Sequence, residues 1–132
     1  MSKSADSAPR KFNIEQVLQG HPPRTNFNVI QLDQRYNVRI ARVTGRFPWH
    51  EHLNGDEGWL IWKGGLRIDI EGGGHVELRE GEGVTIPKGL KHSPLALEEE
   101  TVVVVFNIKD FQHRFVDAQP DVGDFAERDL LP

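Results

Sequence analysis

From Phe27 to Asn107 the chain runs as short stretches rich in Val, Ile, Leu, Phe and Trp, each closed by Gly, Pro, Asn or Asp roughly every ten residues. That spacing specifies an all-β sandwich or barrel. The strands predicted are 27–32, 36–43, 49–52, 57–62, 66–71, 75–79, 83–86, 92–97 and 101–107. "NGD" before Glu57 and "GGG" before His75 are expected to supply the positive φ of tight hairpins, making consecutive strands antiparallel. Ahead of the strands, "NIEQVLQG" reads as a short helix with Asn13 as N-cap, Gln16 at the capping-box position and Gly20 as a left-handed stop. Residues 1–10 are small and polar, too poor in apolar surface to order, and are expected to form a flexible arm. Phe125, Leu130 and Leu131 in the final stretch need apolar cover, from their own barrel or a second subunit.

A chain of 132 residues with a 37% hydrophobic share supports one core and not two, so 11–132 is read as a single domain. A net charge of -4 and a pI near 5.8 give no electrostatic reason to bind nucleic acid or anionic lipid. The absence of cysteine excludes disulfides, thiolate metal sites and Cys nucleophiles, and is compatible with a reducing cytosol. The longest apolar run, "TVVVVF", has a strand's length, whereas a membrane span needs about 20 residues. The opening "MSKSADSAPRKF" has no apolar signal region, so a cytoplasmic protein is expected.

The chemistry-bearing stretch is "FPWHEHLNGDEGWLIWKGG". Residues i and i+2 of a strand share a face, so His50 and His52 project together while Trp49 and Glu51 face the other way. A hairpin through Asn54 and Gly55 would return Glu57 on the neighbouring strand, close to that pair. Farther on, "GEGVTIPKGLKH" combines a short strand, a turn at 87–89 and His92, which the turn can swing into the same pocket. Imidazoles and one carboxylate suit Mn, Fe, Ni, Cu or Zn.

Together these stretches resemble the two signatures of the cupin superfamily. His50, His52, Glu57 and Gly64 match the first, and Gly81, Pro87, Gly89 and His92 match the second. Gly45 stands one residue nearer the histidines than in the usual pattern, and Ala96 replaces an asparagine. The resemblance implies a conical antiparallel β-barrel of the cupin, jelly-roll type. It implies a divalent transition metal (Fe, Mn, Ni or Zn) held inside by His50, His52, Glu57 and His92. It also implies activity as an oxygenase, isomerase or lyase on a small polar metabolite, or else a non-catalytic binding or sensing role.

By strand parity Trp59 and Ile61 share the face of Glu57, which makes Trp59 a candidate for the substrate pocket. Ile61 and Trp62 are read as packing residues, and "LEEET" at 97–101 as a solvated turn. Arg39, Arg67 and Lys88 could anchor a carboxylate but are read as solvated surface charges, and His21, His75 and His113 as surface residues. An exposed edge strand favours pairing with a second copy, so a homodimer is expected.

Overall fold

Along β4 burial alternates from one residue to the next, and apolar side chains of the two sheets meet in one core between them. The computed structural model describes residues 8–21, 24–117 and 127–129. Most of the expected N-terminal arm, and Phe125, Leu130 and Leu131, lie outside the described residues.

Helix α1 (Ile14–Leu18) precedes strands β1 (Thr25–Leu32), β2 (Tyr36–Val43), β3 (His50–His52), β4 (Glu57–Lys63) and β5 (Gly65–Ile70). Strands β6 (His75–Arg79), β7 (Gly83–Ile86), β8 (His92–Ala96), β9 (Thr101–Ile108), β10 (His113–Phe115) and β11 (Glu127–Asp129) follow. One sheet has the order β11-β1-β2-β9-β4-β7 and the other β10-β3-β8-β5-β6. This is the expected all-β jelly roll, whose described strands form two sheets that face each other and do not close into one continuous barrel. Pairing is antiparallel except where β11 runs parallel to β1.

The hairpin expected between β3 and β4 does not form, because the two strands belong to different sheets. Gly55 is absent from the positive-φ residues. Its missing side chain serves close packing instead, since a Cβ there would lie 3.1 Å from Ile108 Cδ1. Asn54 ties the connection to the segment after β9, donating to the Asp110 carbonyl (3.0 Å) and accepting from the Gln112 amide (2.8 Å). The "GGG" turn behaves as expected, with φ of 92, 92 and 105° at Gly72, Gly73 and Gly74.

Between the sheets, Trp59, Ile61, Leu66, Ile68 and Val103 form the main core. The helix covers part of the outer face of the first sheet, where Leu18 packs with Phe27, Ile40 and Val102. Asn13 Oδ1 accepts from the Gln16 amide at 3.1 Å, as a cap should, and Gly20 follows the helix at φ 73°. Trp62, expected to pack, is 49% exposed on that outer side.

Candidate metal centre

His50 and His52 reach the interior from β3, and His92 stands directly across from His50 in the β3·β8 register. The turn after β7 is fastened to β3: the Gly89 amide donates to the His52 carbonyl at 2.9 Å, and Gly89 sits at φ 84°. Ring centroids of His92 lie 4.3 Å from His50 and 4.7 Å from His52. One nitrogen from each of the three rings lies within 4.8 Å of the others, and all three residues are buried. Three imidazole nitrogens this close together could hold one metal ion.

The tautomers follow from the backbone. His50 Nδ1 lies 2.8 Å from the Pro48 carbonyl and His92 Nδ1 lies 2.8 Å from the Leu90 carbonyl. A carbonyl only accepts, so both Nδ1 atoms carry hydrogen and both Nε2 atoms present lone pairs. His92 Nε2 is buried with no hydrogen-bond partner, and so is His52 Nδ1. An orphaned buried imidazole nitrogen is costly unless something ligates it, so the residues present fit a metal.

Burial, reinforced by the neighbouring His92, pushes His50 down to about 3, while the Pro48 hydrogen bond opposes the shift. Burial, with His92 and His113 adding to it, likewise pushes His52 down to about 3. His92 is lowered by burial against the opposing Leu90 bond. All three are neutral near pH 7, the form that ligates.

Glu57 arrives from the facing sheet. Its Oε1 lies 3.6 Å from His52 Nε2, which is no ion pair with a neutral ring. The carboxylate is oriented by Trp59 Nε1, donating to Oε1 at 2.7 Å, and by Asn107 Nδ2, donating to Oε2 at 3.0 Å. The three histidines therefore converge as a group, and Glu57 sits at its edge.

In front of these groups lies a cavity of about 270 Å³, lined by His50, His52, Glu57 and Trp59 among others. His92 is fully buried behind that surface. Arg39 overturns its surface assignment: it is 8% exposed, lines the cavity, and donates from Nε to Asn26 Oδ1 at 2.7 Å. The reason is parity, since Arg39 shares the inner face of β2 with Ala41 and Val43. Arg67 stays outside and pairs with Asp69, and Lys88 is exposed. His75 is exposed, whereas His21 is half-buried against Phe27, ring centroids 4.3 Å apart.

His113 is exposed as expected but stands at the cavity mouth, its ring centroid 5.9 Å from that of His50. With it come Phe111, 4.7 Å from the His52 ring, and Phe115, 6.0 Å from the His50 ring. These rim residues were not anticipated. The i, i+2, i+4 spacing of Phe111, His113 and Phe115 was the signal, the period of one strand face. Asn107 likewise shares parity with the cavity-lining Val103 and Val105.

The Cupin domain family matches residues 38–108, which carry all four candidate ligands. The chain belongs to the cupin family. Among curated relatives, this cupin is similar to the uncharacterized protein YdbB of Bacillus subtilis, 33% identical over 67 residues. That match covers 51% of this chain and 58% of YdbB. A cupin-2 domain protein from Shewanella frigidimarina shares the fold at a TM-score of 0.67 and 26% identity, over 74% of this cupin and 94% of that chain. Hydroquinone 1,2-dioxygenase PnpCD, in complex with Cd2+ and 4-hydroxybenzonitrile, aligns at a TM-score of 0.63 and 23% identity. That alignment covers 74% of this cupin and 71% of PnpCD.

Proposed function

We propose that this cupin holds one divalent transition metal through His50, His52, His92 and Glu57, and is an enzyme of the oxygenase, isomerase or lyase class acting on a small polar metabolite. The observation that carries the reading is the convergence of three buried neutral imidazoles, two with Nε2 lone pairs defined by backbone hydrogen bonds. When bound, a metal with four protein ligands and octahedral preference supplies a Lewis-acid centre with open positions. The protein's part is orientation. The Pro48 and Leu90 carbonyls hold the rings of His50 and His92, while Trp59 and Asn107 set the direction of the Glu57 carboxylate. Phe47, Phe111 and Phe115 limit water at the cavity. The fold neighbour PnpCD supports the view that this scaffold can host oxygen chemistry, and no more than that.

The test is elemental analysis after reloading with each ion, followed by anaerobic titration with candidate metabolites and admission of air. Stoichiometric metal with product release or oxygen uptake supports the enzyme. Saturable binding without turnover under any metal leaves a binding or sensing cupin, and no metal in any sample ends the reading.

A cytoplasmic homodimer of single-domain subunits completes the proposal. No helix among the described residues is long and apolar enough to cross a membrane. Leu60, Trp62, Phe106 and Tyr36 are exposed on the outer side of the first sheet, and a second copy would cover such an apolar face.

A further inference from the structure

Strand β9 lays Val103, Val105 and Asn107 along one wall of the cavity at i, i+2 and i+4, so two valines lead up to an amide. Trp59, Phe111 and Phe115 add rings to the same lining. At the amide end the donors beside Glu57 are already committed. Trp59 Nε1 donates to its Oε1 at 2.7 Å and Asn107 Nδ2 to its Oε2 at 3.0 Å. The Glu57 carboxylate and the Nε2 lone pair of His50 both accept. Arg39 donates from Nε to Asn26 Oδ1 and has a further partner, so it is not an open anchor for an anion.

Asn107 Nδ2 must face the Glu57 carboxylate, which determines the amide orientation, and Oδ1 is then buried with no hydrogen-bond partner. A buried amide oxygen left in that state is costly, and a donor brought to it recovers the loss. A carboxylate cannot be that donor, since it would set acceptor against acceptor beside the Glu57 charge. A hydroxyl can. The valines and rings next to the amide call for an apolar body behind that hydroxyl, and size is adequate. A dry cavity of about 150 Å³ takes benzene, and this one is about 270 Å³.

We infer that the cavity takes a compact neutral alcohol, its ring-sized apolar body over Val103 and Val105 and its hydroxyl donating to Asn107 Oδ1. The inference rests on the metal-site reading for the cavity being a ligand site. It adds the form of the metabolite, polar at one end only, and a specificity-determining residue. An ether of the same shape brings no donor for Asn107, and an alcohol without the body leaves the valines uncovered.

The experiment is calorimetric titration of the full chain, metal-loaded and again after stripping with a chelator, with cyclohexanol, methoxycyclohexane and ethanol. Cyclohexanol is expected to bind at least about tenfold more tightly than either of the other two, in both preparations. Asn107→Val, which keeps a strand-forming side chain and removes the acceptor, is expected to bring cyclohexanol and methoxycyclohexane within about threefold of each other. Equal binding of those two by the wild type overturns the hydroxyl contact, and equal binding of ethanol and cyclohexanol overturns the apolar site. A preference that survives in Asn107→Val, or that appears only with metal loaded, overturns the role of Asn107. If the variant fails to fold by circular dichroism, the side-chain amide resonances of Asn107 in the wild type are expected to shift with cyclohexanol and to stay in place with methoxycyclohexane. Equal shifts refute the contact. Failure of the wild type to take up any metal would refute the metal centre alone, because the titrations on the stripped chain still read Asn107.

Discussion

His50 and His92 each commit Nδ1–H to a carbonyl two residues earlier, which aims Nε2 without help from any distant side chain. His52 Nδ1 has no such tether, and its Nε2 lies 3.6 Å from Glu57 Oε1. Removing His52 should therefore lose one ligand while leaving the other rings aimed. His52→Ala is expected to lower metal affinity by roughly 100-fold or more, by analogy with even outer-contact losses of 10–100-fold. The barrel sheets should still form, and inductively coupled plasma analysis beside circular dichroism checks both halves.

The same burial makes the metal-free protein sensitive to acid. His50 and His52 titrate at about 3 when folded and near 6.5 when unfolded, so between those values the unfolded chain binds more protons. Their contribution to stability is complete above about pH 6.5 and is lost as pH falls toward about 3. Urea unfolding of metal-free protein should show the midpoint dropping through that window, with the upper part of the slope reduced in His52→Ala. A flat midpoint there would contradict the buried neutral rings.

Among the elements, the β4–β5 crossing and the β10 strap decide most. Gly64, at φ 81°, carries the chain from one sheet to the other, and a Cβ there would lie 2.5 Å from the Glu100 carbonyl oxygen and 2.8 Å from Thr101 Oγ1. Both strain and clash oppose any side chain, so Gly64→Ala should cost about 2–4 kcal/mol by chemical denaturation. The strap hangs on Asn54, whose amide makes both bonds to the 110–112 segment. Asn54→Ala should speed hydrogen exchange across residues 110–116 and lower global stability by no more than about 1–2 kcal/mol, because the bonds are exposed. Here local reading misled: "NGD" has the composition of a hairpin, yet it bridges two sheets. Turn propensity reports on neighbouring residues, and sheet membership depends on strands that pair far apart, such as β2 with β9.

For the whole molecule, α1 covers part of the outer face of the first sheet among the described residues. Phe106 packs over Gly58 across the β4·β9 register, beside Leu60, and all of it faces outward. If a second copy covers this face, Phe106→Glu should shift the particle from dimer to monomer in light scattering without changing its metal content. A wild-type monomer at micromolar concentration would end the dimer proposal. Much of the molecule was legible from residue order alone. Strand lengths, the shared face of His50 and His52, the helix cap and the spacing to His92 all follow from periods and turn residues, which act over a few positions. What only the folded chain decided is which sheet each strand joins, and with it the arrival of Glu57 from the opposite side, the burial of Arg39 and the rim of Phe111, His113 and Phe115. Those depend on contacts between distant segments, whose closure is chosen by the packing of the whole core and leaves no mark on the neighbouring letters.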